Sequence, residues 1–372
     1  MASRPRAHAG SARASRLDLP GSVSEINDYF DQQGWTDGLP IIPPTEGLVQ
    51  AMLDASPVPA EQVLGRLPPR NGTVTVEKVA INAVMAGCQP AYFPVVLAAV
   101  KAVLQPQFNA GAITTTTGGA APVVVVSGPI ARRIGIHSGT AVLGSGHRAN
   151  ATIGRALRLT MRNLGGATAE TMEKSTHGWP GKYTMCLAEN AERNPWEPLH
   201  VELGFAPEAS IVVVAAARGI ITMVESSQEG GLGNLETLVS SMHGEGISGY
   251  YYQARGASPV VVLGPEHAAE VAAAGFGRRA VKEYIFQHAR MPLGRLRDRG
   301  HWGARSWPED WEHQPEDFLV PLVTSPDALI LVVAGGDGRH SSWFPAWSAT
   351  QRAVEVIEGP GSGGHGSSAL RP

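Results

Sequence analysis

The chain has 372 residues, of which 43% are hydrophobic and 17% are charged, so it is too apolar to be disordered and long enough for one or two hydrophobic cores. Its 30 basic and 33 acidic side chains give a formal net charge of −3, which provides no overall field to attract nucleic acid or anionic lipid. No apolar run approaches the roughly 18–20 residues that span a bilayer. The composition therefore predicts neither a nucleic-acid-binding protein nor a membrane-spanning one.

The two ends and the cysteines indicate where the folded part lies and in which compartment. Residues 1–16 are rich in arginine with no apolar segment after them, and the tail is rich in glycine and serine. We predict that residues 1–22 and 359–372 are disordered; a transit peptide of similar composition is the alternative for the first. Cys88 and Cys186 have the spacing of neither a disulfide framework nor a zinc ribbon, which favours a cytoplasmic protein.

Helix signals come first along the chain. Ser24 is a candidate N-cap before apolar residues at helical spacing, and Thr45 caps a second helix after the proline-rich, sharply turned loop 35–44. Thr75 opens a third helix, and Pro90 occupies the first position of a fourth. The amino-terminal part of the folded region is therefore predicted to be mainly helical.

Four apolar, β-branched runs follow, at 121–128, 210–217, 258–264 and 327–336. Runs of this length and composition are typical of strands that are covered on both faces. We predict an α/β fold with a mixed or mostly parallel sheet flanked by helices.

Two of the strand segments share a longer pattern. Residues 121–131 and 258–268 each contain a Val-rich strand, then Gly-Pro, then an alanine-containing helix, with a period of roughly 140 residues. This predicts an internal duplication, with one α/β lobe at 23–205, a second at 206–358 and a cleft between them; chance similarity is the alternative. Ligands of such folds gather at the carboxyl ends of the strands.

Cys88 is a candidate nucleophile. It lies just before a predicted helix amino terminus, where unpaired N–H groups and the helix dipole favour the thiolate. The alternative is a small buried core residue beside Ala86 and Gly87. Cys186 has apolar neighbours and is predicted to lie in the core.

A glycine-rich turn that leads into an arginine-bearing helix, residues 137–166, is a candidate anion site. Such a turn lets the backbone approach a ligand, and the following helix offers free N–H groups and nearby arginines. The segment has neither the P-loop nor the dinucleotide pattern, so the chain carries no NAD, flavin or ATP signature and the cofactor is unknown. An ordinary glycine turn with surface arginines is the alternative. The predicted substrate-binding residues are Gly144, Gly146, His147, Arg148, Asn150, Thr152 and Arg155.

A second polar cluster, at 174–205, mixes titratable side chains with proline and tryptophan, as binding loops do. His177, Lys182 and Glu189 are the candidate acid–base residues there, and a solvated loop is the alternative. A further glycine-rich turn at 230–246 has Asn234 as a candidate cap. Metal chemistry is a competing interpretation on scattered histidine and carboxylate loops, although no metal ligand set is assigned; the best of these loops is Asp337-Gly-Arg-His340.

Segments 34–45, 82–96, 146–159 and 175–205 resemble a poorly characterised bacterial family that is similar to, or encoded beside, the UGSC-type selenoprotein or thiol proteins. The resemblance covers residues 25–350. It implies chemistry at sulfur or selenium, such as reductive or lyase-type cleavage of a small molecule. This chain has no UGSC or CGSC tetrad, so a redox dithiol would come from a partner protein.

Together these features predict an enzyme of small-molecule metabolism that acts on a small anionic substrate, with lyase or hydrolase chemistry using Cys88. One alternative is a non-catalytic partner of a thiol or selenol protein, with exposed tryptophans as the docking surface. Another alternative is a metal-dependent enzyme that uses the histidine and carboxylate loops. A homo-oligomer stays open. The tryptophans meant are Trp302, Trp307, Trp311, Trp343 and Trp347.

Overall fold

The computed structural model describes residues 14–169, 171–227, 230–244, 246–299, 311, 313–348 and 350–359. Within these ranges the helices are α1 (Val23–Gln32), α2 (Glu46–Asp54), α3 (Val76–Ala86), α4 (Phe93–Leu104), α5 (Ala110–Thr115), α6 (Ile130–Arg133), α7 (Arg148–Gly165), α8 (Leu199–Glu202), α9 (Gly230–Ser241), α10 (Gly246–Gln253), α11 (Pro265–Ala273), α12 (Arg278–His288) and α13 (Leu293–Arg299). The strands are β1 (Val63–Leu67), β2 (Gly72–Thr75), β3 (Ala121–Ser127), β4 (Cys186–Ala188), β5 (Ile211–Ala217), β6 (Ile221–Val224), β7 (Val260–Leu263), β8 (Arg290–Pro292), β9 (Leu319–Pro321), β10 (Ile330–Val333), β11 (His340–Phe344) and β12 (Ala353–Val356).

Polar caps start several helices near the predicted positions. Thr45 precedes α2, and the Thr75 hydroxyl accepts a hydrogen bond from the Lys78 backbone N–H at the start of α3. The first helix starts earlier than predicted, because Ser22 and not Ser24 is its N-cap and forms a capping box with Glu25. Local cap chemistry therefore sets these boundaries to within two residues.

Two four-stranded sheets form the centre of the fold. The strand order is β12-β5-β3-β4 in the first sheet and β10-β7-β11-β6 in the second. Only the β3–β4 and β7–β10 pairs are parallel, and the other pairs in these two sheets are antiparallel. The predicted α/β class is confirmed, and of the two sheet types that the sequence left open, the mixed one is present.

The two sheets pack face to face and have helices on their outer sides. Successive side chains of a strand point to opposite faces, so Val123 and Val125 of β3 pack with Val260 and Val262 of β7 in an apolar layer between the sheets. Val124 faces outward into the core built on α3, α4 and α7. The outward side of the second sheet packs on α9, α11 and α12 in the same way. The order of layers is helix, sheet, sheet, helix, and the predicted cleft between the halves is filled by apolar side chains.

The two sheets share one pairing pattern. β3 pairs in parallel with β4 and antiparallel with β5, which continues to β12. β7 likewise pairs in parallel with β10 and antiparallel with β11, which continues to β6. The fourth strands are exchanged, because β6 follows β5 in the chain but joins the second sheet, whereas β12 follows β11 but joins the first. This correspondence supports the internal duplication.

The exchanged strands affect the predicted division at residue 205. Both β5 and β12 lie after that residue and yet belong to the first sheet, so the sheets do not divide there.

The predicted disordered ends lie outside the described residues except for 14–22 and Gly359, and in the first of these the Ala14 N–H donates to Glu77. In the described ranges no single helix is long and apolar enough to cross a membrane; one bent pair, Pro90–Leu104 with Pro106–Thr115, passes that test only jointly.

Candidate functional site

Arginines of helix α7 hold three other segments of the chain in place. Its Arg155 forms a bidentate ion pair with Asp37, with both nitrogen–oxygen distances at 2.8 Å. Its Arg148 donates two hydrogen bonds to the Gly87 carbonyl, at 3.1 and 2.9 Å. Its Arg158 donates from Nε to the Lys182 carbonyl at 2.9 Å. Residues from the loops at 34–45, 82–96 and 175–205 are thus held around one 18-residue helix.

Most polar groups of the predicted anion site are already bonded to the protein. Asn150 accepts from the His137 N–H and donates to the His137 carbonyl, at 2.8 and 2.9 Å. The Thr152 hydroxyl donates to the Arg148 carbonyl. Because Arg148 and Arg155 also have protein acceptors, these side chains fasten the turn and the neighbouring loops. Their role in substrate binding stays a prediction.

The turn before α7 has the tight geometry that its glycines predict. Gly146 has φ +106°, a conformation that favours glycine, and the Gly144 N–H donates to the Ala141 carbonyl at 2.7 Å. His147 is the N-cap of α7 without a side-chain capping bond, and Asn150 lies in the first turn of the helix. The His147 ring instead stacks on His137, with 3.5 Å between ring centroids.

The expectation of a low pKa for Cys88 is wrong. Gly87 ends α3 in the left-handed conformation, and the Cys88 N–H then bonds back to the Ala83 carbonyl. Cys88 therefore lies at the carboxyl, electronegative end of a helix. Its thiol is 8% exposed and contacts the Thr152 carbonyl at 3.3 Å. Burial raises the pKa of the thiol to about 12, in spite of the nearby Arg148 and Arg155 charges.

Cys186 lies in β4 and is buried in the same core as Cys88, as predicted. Burial raises its pKa, and the neighbouring Cys88 raises it further, so the two side chains are close enough to interact electrostatically. Both are free thiols. Each is protonated at neutral pH in this conformation.

The predicted acid–base residues are distributed over different surroundings. Lys182 donates to Glu173 at 2.7 Å, and both side chains are largely buried. Burial lowers the pKa of Lys182; the hydrogen bond to Glu173 opposes this change, and the Arg158 charge adds to it. His177 is exposed. No hydrogen bond or ion pair in the described part of the chain joins Lys182 to His177 or Glu189.

Glu189 follows β4 and belongs to a buried polar network. Its carboxylate accepts hydrogen bonds from the Ser127 hydroxyl at 2.6 Å, from the Leu199 N–H at 2.9 Å and from Arg278 Nη2 at 3.0 Å. The Ser127 hydroxyl also contacts His200 Nδ1 at 2.9 Å. The side chains of Glu189 and Arg278 are each 1% exposed, and the Glu189 carboxylate is engaged by protein donors. The predicted catalytic role of Glu189 stays a prediction.

Arg158 and Arg162 form a cationic surface on α7, and neither is among the predicted site residues. Arg162 Nε is buried without a hydrogen-bond partner, and no acceptor in the described residues meets the rest of its guanidinium. Beyond its Nε bond, the Arg158 guanidinium has one further hydrogen-bond acceptor among the described residues, the Met161 sulfur at 4.0 Å. The surrounding bases are Arg155, Arg158, Arg162 and Lys182, and the surrounding acids are Asp37 and Glu173. Counted over the described residues alone, four cations against two anions leave an excess of two positive charges.

The sequence contained a signal for this surface. Arg155, Arg158 and Arg162 are spaced by three and four residues, which places them on one side of a helix. Like charges at such spacing are destabilising unless an anion neutralises them. The sequence could not tell which of the three arginines would be neutralised by the protein, because Asp37 is more than a hundred residues away.

The other predicted features lie mainly in the core or elsewhere on the surface. Asn234 is buried within α9 and donates to Glu270, so it is not a cap. Trp311 and Trp343 are buried in the second core and do not form a docking surface. Trp347 packs against the first core, and Trp302 and Trp307 lie outside the described residues. Among the residues that the structure describes, no three His, Cys, Asp or Glu side chains are grouped as a metal site.

No protein-family model matches the chain, and a search of curated proteins gives no significant match.

Proposed function

We propose that this protein is an enzyme of small-molecule metabolism that binds the carboxylate or phosphate of a small anionic substrate on Arg158 and Arg162. The observation that supports this proposal most directly is the buried Nε of Arg162, which has no hydrogen-bond partner among the residues that the structure describes. A polar group left unsatisfied in a protein costs about 1–3 kcal/mol, and more if it is charged. A bound oxyanion would satisfy this group and offset the repulsion between the two arginines.

Arginine suits this role because its planar guanidinium binds carboxylate or phosphate through two parallel hydrogen bonds. Arg155 shows this geometry within the protein, since it binds the Asp37 carboxylate in the same bidentate way. The free donors of Arg158 and Arg162 lie on the same side of α7. A substrate with one anionic group would offset part of the local excess of positive charge.

Lys182 is the group that supplies chemistry in this proposal. A desolvated lysine next to another cation has a lowered pKa, and its neutral amine is a general base or a nucleophile toward a carbonyl group. Lys182 donates a hydrogen bond to Glu173, whose carboxylate would accept or return a proton. This arrangement fits lyase or hydrolase chemistry better than hydride transfer. In this proposal Cys88 is a protonated thiol and does not act as a nucleophile.

The test combines binding with turnover. Isothermal titration with phosphate, acetoacetate and oxaloacetate is expected to give saturable binding of at least one of them, weakened about tenfold or more by Arg162→Gln or Arg158→Gln. Arg295→Gln is the matched control, because Arg295 is an exposed arginine in α13, whose neighbours are in the second core. Proton NMR of the bound compounds follows turnover, which Lys182→Met is expected to abolish.

Unchanged binding in the Arg158→Gln, Arg162→Gln double variant would refute the binding proposal. Turnover at the normal rate in Lys182→Met would refute the role of the amine and leave the anion site standing. Circular dichroism of each variant checks that the fold is retained.

Docking of a thiol or selenol protein is a second candidate, supported by the exposed apolar residues Leu39 and Ile42, which are 44% and 48% accessible. Both belong to the loop that Arg155 holds beside Cys88. Size-exclusion chromatography with the UGSC-type protein implied by the resemblance tests this: co-elution lost in Leu39→Ser, Ile42→Ser supports it, and separate elution of the unmodified proteins contradicts it.

We also propose that the protein acts in the cytoplasm. Support comes from the two free, buried cysteines, which suit a reducing compartment.

A further inference from the structure

A pocket of about 320 Å³ opens where the edges of the two sheets meet. β12 is the edge strand of the first sheet and β10 is the edge strand of the second. One side of the pocket is formed by Glu202 at the end of α8 with Leu203 and Phe205 after it. The other side is formed by Lys282 of α12 and Arg352 before β12. The volume lies at the lower end of the range for small-molecule sites. It shares no lining residue with the surface around Arg158 and Arg162.

Two cations in this pocket have N–H donors that meet no acceptor in the described residues. Lys282 is buried, and the only acceptor that meets its ammonium group among the described residues is Glu202. Arg352 donates from Nη1 to the Asp327 carbonyl, and its Nε and Nη2 have no acceptor in the described part of the chain. An ammonium group has three N–H donors and a guanidinium has five. Most of these donors therefore have no acceptor among the described residues.

The acids that line the pocket already have cationic partners. Glu202 pairs with Lys282 and, at 3.5 Å, with Arg278 behind it. Asp327 pairs with Arg279 at 2.5 Å. These pairs reduce the repulsion that the two carboxylates would exert on an incoming anion.

Burial lowers the pKa of both cations by more than the neighbouring acids raise it. It lowers the pKa of Lys282 although Glu202 opposes the change, and it lowers the pKa of Arg352 although Glu202 and Asp327 oppose it. The positive charges are therefore incompletely compensated by the protein. An additional carboxylate would stabilise them.

The remaining lining is apolar. Leu203 and Phe205 belong to the apolar layer between the sheets, and Val354 of β12 packs against the same layer from the edge. An inorganic anion would leave these side chains in contact with water. A ligand with an apolar body would cover them and gain about 25 cal/mol for each Å² that it removes from water.

We propose that this pocket is a second ligand site, which binds a small monocarboxylate with an apolar body. The carboxylate contacts Arg352 and Lys282, and the body packs on Leu203, Phe205 and Val354. The site joins the two halves of the molecule, because Val354 belongs to the first sheet and Lys282 to α12, which packs on the second.

The test uses 4-fluorobenzoate and butyrate as probes, with fluorine NMR or isothermal titration on the full chain. Saturable binding is expected, with affinity reduced about tenfold or more in Arg352→Gln and less in Arg352→Lys, which keeps the charge but not the planar fork. Arg295→Gln and the Arg158→Gln, Arg162→Gln double variant are expected to bind both probes normally. Arg352 is only half-buried, so its variants are expected to fold, and circular dichroism checks this.

Each of four results would overturn the proposal. The first is the absence of saturable binding of either probe. The second is binding that Arg352→Gln leaves unchanged. The third is inorganic phosphate binding in this pocket at least as tightly as butyrate, which would mean that the apolar lining makes no contribution. Loss of binding in the Arg158→Gln, Arg162→Gln double variant with no effect of Arg352→Gln would assign the probe to the other site and equally refute this one.

Discussion

Cys88 is expected to react slowly with alkylating agents in the native protein. Only the thiolate reacts, and burial raises the pKa of this thiol from 9.0 to about 12. A rise of about three pH units lowers the thiolate fraction at pH 8 roughly a thousandfold. Because the side chain is also 8% exposed, access to the reagent lowers the rate further. Cys88 is therefore expected to be unreactive at pH 7–8 unless the chain opens.

The assay is iodoacetamide labelling followed by peptide mass spectrometry, with the urea-unfolded chain as the reference. The native rate at pH 8 is expected to be lower by about three orders of magnitude and to rise with pH without a plateau below pH 10. Cys186 is an internal control, since it is buried and its pKa is also raised. Labelling of native Cys88 at a rate close to that of the unfolded chain would refute the account and restore the thiolate nucleophile.

Three further predictions concern stability. Arg278→Met is expected to lower the free energy of unfolding by about 3–5 kcal/mol, because Glu189 is left charged, buried and without its partner; urea denaturation measures this, and Glu189→Gln in the same chain should recover part of the loss. Gly154→Ala is expected to cost about 1–3 kcal/mol in the same assay, because a Cβ atom would lie 2.6 Å from the Met185 backbone nitrogen; a stable variant would contradict the packing of α7 on β4. Burial raises the pKa of Glu173, but its hydrogen bonds lower it more, so this group stabilises the fold above pH 4.5 and the contribution is lost as the pH falls through the lowered value. Melting temperatures from pH 7 to pH 3 should therefore fall less steeply in Glu173→Gln, and an identical pH profile would contradict the pairing.

The strands could be predicted from sequence because their signal is local. Runs 121–128 and 258–264 contain β3 and β7, and such continuous apolar runs are typical of strands covered on both faces. The exchange of β6 and β12 could not be predicted, because each pairs with a strand of the other half and not with its neighbour in the chain. The packing of the two sheets against each other depends in the same way on strand pairings between residues that are far apart in the sequence.

The candidate site could be predicted only in part. The arginine helix was recognised, but which arginines are neutralised depends on Asp37, which is distant in the chain. The pKa of Cys88 was predicted with the wrong sign, because the helix that ends at Gly87 precedes it and only a three-residue turn, Pro90–Tyr92, follows at once. Glu189 looked like an exposed loop acid, since its partner Arg278 lies 89 residues away.

The most direct test of the anion site is nitrogen–proton NMR of the arginine side chains, with Arg158→Lys and Arg162→Lys used for assignment. On titration with phosphate or acetoacetate, the Nε–Hε signals of Arg158 and Arg162 are expected to move together and to saturate, while the signal of Arg155, which already binds Asp37, changes little. Unmoved signals for Arg158 and Arg162 over a titration that saturates elsewhere would contradict the central claim.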